Sequence, residues 1–235
     1  MVVLGERASV NTVVYDLKVQ DLTELLYKLQ LMEFESHFRR IKEYNGTLIW
    51  VSALTQCPKK WEFMLRFPEA SQVQFKGSFV LGKAAHVGLQ QLLQSYYTAL
   101  GYERIEIEKE IEKKLVLSGG REVLLTGRVD AVAYRGDEKV IYEVKTARSD
   151  MGLPHEHHLL QLKIYMNMAG SSTGVLVYLT PDRVAEYYVT NPLSDEELAK
   201  LVEEFLEFNG PRYDWECSYC VYSVLCPLKK TNTRR

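Results

Sequence analysis

The sequence predicts an α/β protein of the α+β kind, in which one mixed sheet is flanked by helices. Two observations lead there. Apolar residues recur at helical spacing in three segments between residues 20 and 100, then switch to three extended segments in a row, one more helix and two further strands. Turn and cap residues fall between these segments, not inside them.

The elements follow in chain order. Residues 20–44 repeat apolar side chains every three or four positions, and Asn45-Gly46 ends the pattern. A second helix is expected after Ser52, in SALTQCPKKWEFMLRF, stopping before Pro68. A third runs from about Phe79 to Leu100, carries His86 and ends at Gly101. Extended segments occupy 103–117, 121–134 and 138–146, joined by turns at Gly119-Gly120 and Arg135-Gly136-Asp137. A helix from about Glu156 to Ala169 closes at Gly170. Two strands, TGVLVYL and AEYYVT, turn at Pro181-Asp182. In SDEELAKLVEEFLEF, Ser194 and Glu197 form a capping box, and Gly210-Pro211 stops the chain from continuing as helix. The tail holds three of the four cysteines, and there is no internal repeat, low-complexity segment or long linker.

The composition is that of an ordinary globular protein, 46% apolar and 26% charged, with ample length for a core. A net charge of −2 advertises no global affinity for nucleic acid, so such a partner would need local basic patches. The 15 tyrosines offer stacking platforms for unpaired bases, although most tyrosines are packing residues. MVVLGERASV has no basic segment followed by an apolar run, and no apolar stretch is long enough to span a membrane. A cytoplasmic location is the expectation, where four cysteines point to metal or redox chemistry before disulfides.

The chemistry starts at GRVDAVAYRGDEKVIYEVKTA, residues 127–147. On a strand, Glu143 and Lys145 share one face while Tyr142 and Val144 share the other. Pairing about Arg135-Gly136-Asp137 brings Asp130 opposite residues near Glu143. Two carboxylates and an ammonium then converge, the set that metal-dependent phosphodiester hydrolysis needs. The plainer reading is a surface salt bridge, which adds little stability. In HEHHLLQLKIYMNMAG, Gln161 and Tyr165 lie four apart on one helix face, where they could position a phosphate or the lysine, or simply face solvent. A lone helical histidine such as His86 is more often packed or exposed than a ligand. His155, His157 and His158 read as the solvated start of a helix. Cys217, Cys220 and Cys226 form C-x2-C-x5-C, which with the distant Cys57 makes four sulfurs for structural zinc or an iron–sulfur cluster, the spacing leaning to zinc. GSFVLGK, residues 77–83, imitates a phosphate-binding loop, but Ala84 stands where a magnesium-binding hydroxyl is needed.

Taken in order, Cys57-Pro58, His86, the G-x-V-D at Gly127–Asp130, the E-V-K at Glu143–Lys145, Q-x-x-x-Y at Gln161–Tyr165 and C-x2-C-x5-C-P ending at Pro227 make the chain resemble the CRISPR-associated Cas-four nucleases. These are relatives of the RecB nuclease domain with the restriction-endonuclease-like PD-(D/E)xK fold, and the likeness covers about residues 50–230. The resemblance implies Mg²⁺ or Mn²⁺ held by His86, Asp130, Glu143 and the Val144 carbonyl, with Lys145 as the catalytic lysine. It implies Gln161 and Tyr165 on the DNA backbone and a [4Fe–4S] cluster on Cys57, Cys217, Cys220 and Cys226, against the zinc leaning. It further implies cleavage of single-stranded DNA, often from 5′ to 3′ and sometimes internally, beside the Cas-one and Cas-two integrase during spacer acquisition. The alternatives are a RecB-type repair nuclease and a non-catalytic iron–sulfur DNA-binding or redox module. Lys59, Lys60, Arg66, Lys83 and Arg128 are candidate contacts to a strand, Lys83 and Arg128 foremost. The expected organisation is an N-terminal segment over 1–50, a nuclease core over 51–210 and an iron–sulfur tail over 211–235.

Overall fold

The computed structural model describes residues 19–72 and 75–230. The stretch MVVLGERASV, where the sequence shows no leader pattern, lies outside the described residues. Helix α1 (Leu22–Glu43) starts where the Asp21 side chain accepts the Glu24 N–H. After it come β1 (Thr47–Trp50), α2 (Val51–Leu54), α3 (Pro58–Arg66) and α4 (Glu69–Gln72). The single helix expected after Ser52 is therefore two, parted at Thr55–Cys57, with Cys57 at the N-cap of α3 and Pro58 at its first position. Strand β1 was not expected, because four residues are too few to show a period. Helix α5 (Gly77–Tyr96) begins two residues earlier than the sequence indicates and ends in a 3-10 turn, Tyr97–Leu100.

Strands β2 (Arg104–Val116), β3 (Glu122–Arg135) and β4 (Glu138–Thr146) form the expected meander. Helix α6 (Glu156–Ala169) closes at Gly170, whose φ of 63° is the left-handed conformation that glycine adopts without strain. Strands β5 (Thr173–Leu179) and β6 (Val184–Val189) follow, then α7 (Asp195–Glu207) with the Ser194–Glu197 capping box. The tail makes one short helix, α8 (Glu216–Tyr219), and a 3-10 turn at Val221–Val224.

The six strands form one mixed sheet. β1 runs parallel to β3 and β4 parallel to β5, and the remaining pairs are antiparallel. A strand has two edges. β2 takes one edge of β3 along almost its whole length, so β1 and β4 must share the other. β1 pairs with Val123–Thr126 and β4 with Ala131–Arg135. Between them, Gly127–Asp130 has no strand partner on that edge, and the sheet opens there.

One face of the sheet is covered by α2, α6 and α7. Leu54, Leu162, Ile164, Met166, Leu198 and Phe205 are buried against Ile49, Leu125, Ile141 and Leu176. On α7 the buried residues recur at three and four positions, the stripe that faces a core. The other face packs Ala131, Ala133, Tyr142 and Val175 against Leu89 and Leu93 of α5. A third cluster ties Phe38 of α1 and Phe63 and Met64 of α3 to Tyr222 of the tail. Among the described residues no helix is long and apolar enough to cross a membrane.

Candidate active site

The opening in the sheet is where the predicted residues meet. β3 and β4 stop pairing at Ala131–Tyr142, which leaves the Val144 N–H without its ladder partner. Asp130 supplies one, its Oδ2 accepting that N–H at 2.7 Å. Its Oδ1 lies 3.1 Å from His86 Nδ1 and accepts from Gln90 Nε2 at 3.3 Å. His86 and Gln90 are four residues apart on α5, so both reach the same carboxylate. Burial opposes a charge on the His86 ring, but Asp130 beside it prevails and holds its pKa above the ordinary value.

Glu143 and Lys145 sit side by side as the strand period requires. Lys145 Nζ donates to Glu143 Oε1 at 2.6 Å. Glu143 is only 3% exposed, and its Oε2 is buried with no hydrogen-bond partner. Burial pushes the Glu143 carboxyl up to about 7, with Asp130 adding repulsion and Lys145 opposing it. An orphaned carboxylate oxygen facing a second carboxylate is costly unless a cation joins them. Gln161 and Tyr165 are both buried, not on an outer face, and Gln161 Nε2 lies 3.4 Å from Tyr165 Oη. Burial raises the Tyr165 pKa, so the phenol stays neutral. Its ring fills the space over Gly127, where an added Cβ would stand 2.6 Å from Tyr165 Cε1. The glycine of G-x-V-D is there to admit this ring.

These residues line one cleft of about 780 Å³. Lys83, Arg128, and Glu33, His37 and Arg40 of α1 form its outer wall. Lys145 holds one Glu143 oxygen while His86 and Gln90 hold Asp130, and among the described residues no group of three or more His, Cys, Asp or Glu is disposed to hold a metal ion. The donor set nonetheless fits a hard divalent cation, with two convergent carboxylates, an imidazole and an unsatisfied oxygen.

The fold brings the four cysteines to a second place. Cys57, Cys217, Cys220 and Cys226 line one small cavity and all are free thiols. Glu216, also buried, accepts the Cys57 N–H at 2.7 Å and the Tyr213 N–H at 2.9 Å, so one carboxylate fastens the start of α3 to the tail. Burial pushes the Cys57 and Cys220 thiols up. Four sulfurs lining one cavity without a disulfide have the chemistry of a thiophilic site, although as placed they form no metal-holding group among the described residues.

The three histidines at the start of α6 are not the solvated group that their sequence indicates. His158 Nδ1 lies 2.7 Å from Tyr178 Oη, and the His157 ring packs 5.0 Å from that of Trp215. Sequence reasoning also missed Gln90, whose i,i+4 relation to His86 was the available signal. It missed Glu108 as well, which accepts from Gln90 and from Arg128. Glu108 stands opposite Asp130 at a break in the β2–β3 ladder, where neither is paired, and its φ is 51°. Lys59 is tied to Glu62, Lys60 to Gln56 and Arg66 to Glu62, all outside the cleft lining.

The family model for the PD-(D/E)XK nuclease superfamily matches residues 93–227. The CRISPR-associated exonuclease Cas4 of Saccharolobus solfataricus is 37% identical over 213 residues, which is 89% of this chain and 100% of that protein. The crystal structure of SSO0001 superposes with a TM-score of 0.80 at 35% identity, over 90% of this chain and 99% of that one. An alkaline exonuclease from Laribacter hongkongensis is far more distant, at a TM-score of 0.47 and 12% identity over 67% of this chain and 84% of that one.

Proposed function

From the premise that the chain belongs to the Cas4 family of CRISPR-associated exonucleases, within the PD-(D/E)XK nuclease superfamily, we propose a divalent-metal-dependent deoxyribonuclease that cuts single-stranded DNA, or single-stranded overhangs, during spacer acquisition. The observation that carries the reading is the buried Glu143 with its unsatisfied Oε2, facing Asp130 across a gap in the sheet. His86, Asp130, Glu143 and the Val144 carbonyl would hold Mg²⁺ or Mn²⁺. When bound, the ion polarises the scissile phosphate and lowers the pKa of the attacking water.

The chain's own residues do the rest. Lys145, which holds Glu143 Oε1, would orient the attacking water and a phosphate oxygen. Tyr165 and Gln161 fix the adjoining backbone through neutral hydrogen bonds. Lys83 and Arg128 meet phosphates at the cleft's rim. We assign a [4Fe–4S] cluster to Cys57, Cys217, Cys220 and Cys226, where it would clasp the tail (211–235) to the core (51–210). The role beside the Cas-one and Cas-two integrase, and the 5′ to 3′ polarity, rest on family membership.

The test is cleavage of end-labelled single and double strands with Mn²⁺ and with chelator. Metal-dependent loss of single strands from the 5′ end, abolished in Asp130→Ala and Glu143→Ala, is the expected result. Binding without cleavage would favour a non-catalytic module, and equal cutting of duplex would favour a RecB-type repair role. Zinc without iron in anaerobically purified protein would remove the cluster.

A further inference from the structure

The basic wall of the cleft is already occupied by a carboxylate. Lys83 of α5 and Arg128 of β3 both line the cleft. Lys83 Nζ lies 2.5 Å from Glu33 Oε2, and Arg128 Nη2 lies 2.7 Å from Glu33 Oε1. One carboxylate thus receives two cations from two elements, one on each oxygen. The two non-bridging oxygens of a phosphodiester would present the same pattern. Glu33 resists ionisation through burial, yet Lys83 and Arg128 together hold its carboxyl below the usual range, so it is charged at neutral pH.

Glu33 belongs to α1, which is lightly seated. Of its 22 residues only Phe38 is buried. Phe34 and Ile41 add partial packing to the cluster with Phe63 and Tyr222, and Arg40 pairs with Glu110 and Glu112 of β2. Those anchors, with His37 packed on Trp50, lie in the C-terminal half of the helix, which Glu33 begins, so the Glu33 side chain can swing away while that half stays seated. In its N-terminal half, Leu22 and Leu29 are exposed and Tyr27 meets Phe75 edge-on. Lys83 is 63% exposed and Arg128 41% exposed, so the Glu33 pairs sit at the solvent rim, where ion pairs hold weakly and exchange with other anions.

We propose that Lys83 and Arg128 form a backbone-phosphate subsite for the entering strand, that Glu33 fills this subsite when no nucleic acid is bound, and that the Glu33 side chain is therefore a gate which the strand opens by displacing the carboxylate. The proposal rests on the nuclease reading above. Glu33 holds back binding and does not touch the reacting groups, so its removal changes affinity and leaves the chemical step alone. Arg128 keeps Glu108 as a second partner at 2.6 Å, so Lys83 gains most when Glu33 is neutralised.

The test uses the whole chain and a fluorescein-labelled oligothymidylate. Binding is read by anisotropy in chelator, and cleavage by single turnover in Mn²⁺. Glu33→Gln should bind the strand about tenfold more tightly at low salt, with an unchanged single-turnover rate. The advantage over wild type should shrink as salt rises, because salt screens the Glu33 pairs that hold wild type back, so the slope of log affinity against log salt is steeper in the variant. Glu33→Asp, charged but one carbon shorter, should show a smaller tightening and covers the case in which Glu33→Gln unseats α1. Affinity and salt slope equal to wild type in both variants would overturn the gate, as would weaker binding in a Glu33→Gln protein that melts like wild type. If wild type cuts the strand under those outcomes, the nuclease reading stands without the gate. If wild type neither binds nor cuts, both fall.

Discussion

Glu143 is a buried carboxylate with an unsatisfied oxygen, a cost that the proposed cation would offset. Its folded pKa of about 7 lies above the ordinary carboxylate value of 4.5, and the cause is burial. A raised carboxyl contributes stability that is complete below pH 4.5 and is lost as pH climbs through 7. In chelator, wild type should weaken across that window by up to roughly 3 kcal/mol, at 1.36 kcal/mol per unit. Glu143→Gln does not titrate. Its melting temperature relative to wild type should therefore rise between pH 5 and pH 8, and added Mn²⁺ should then stabilise wild type alone. A difference that stays flat with pH would mean that Glu143 is not held uncharged by its burial. Gly127 gives a second prediction. Gly127→Ala drives a methyl to within 2.6 Å of the Tyr165 ring, so the variant should melt several degrees lower and cut poorly. The same change made with Tyr165→Ser should lose far less stability, because the clash is gone. Asp130, Glu143 and Lys145 were legible in the sequence because strand period and turn position place them together. Gln161 and Tyr165 were legible from their i,i+4 spacing. Glu108 was not, since it stands in a run, ERIEIEKEIEK, whose glutamates look alike until the break in the ladder and a positive φ single one out. Glu33 gave no signal at all, because its partners lie far along the chain.

At the scale of elements, the order of strands and helices was legible because caps and turns are local chemistry. What was hidden were the features that arise only in pairing. β1 is four residues long and exists because Leu48 and Ile49 bury against β3. The gap along β3 exists because two short neighbours share one edge. The start of α6 shows the same limit. HEHH is polar in sequence, but folding sets His157 and His158 among Tyr178, Tyr213 and Trp215. Burial first, and then the nearby Lys145 and His155, push His157 down to about 4, while burial, Lys145 and His157 push His158 down to about 2. A histidine depressed in the folded state contributes stability that is present above its unfolded value of about 6.5 and is lost as pH falls toward the folded value. This runs opposite to Glu143 over the same range. His157→Phe combined with His158→Gln should therefore flatten the fall in melting temperature between pH 6.5 and pH 4.5, measured in chelator. A slope as steep as wild type would mean that neither ring is the source of the acid weakness.

Across the whole molecule, the distant Cys57 and the tail are joined by contacts that need no sulfur ligand. The sequence paired them only through the count of cysteines and a family pattern. The structure adds Glu216, which accepts N–H groups from Cys57 and Tyr213, and Tyr222, which packs on Phe63 and bonds Ser71. These contacts hold the tail against α3 and α4 without a metal, and so bring the four thiols to one cavity. A cross-link at this place closes a loop of most of the chain, and closing long loops restricts the unfolded ensemble most. Two contributions are therefore separable. Glu216→Gln keeps the size of the side chain but replaces one acceptor oxygen with a donor, which leaves one of the two N–H groups unmatched. It should cost about 1–3 kcal/mol in metal-free protein, the range for a buried donor left unsatisfied. The same variant should lose iron to chelator faster than wild type, because the sulfurs are no longer fixed before the cluster binds. Cys220→Ala should do the reverse, leaving the metal-free melting temperature nearly unchanged while abolishing iron uptake. Proteolysis supplies the deciding measurement. In iron-free wild type the first cut should fall between Asn209 and Tyr219, and Glu216→Gln should be cut there sooner. If Glu216→Gln matches wild type in metal-free melting, iron retention and cleavage pattern, the tail is held by Tyr222 and its neighbours, and the carboxylate between Cys57 and Tyr213 has no part in assembling the sulfur site.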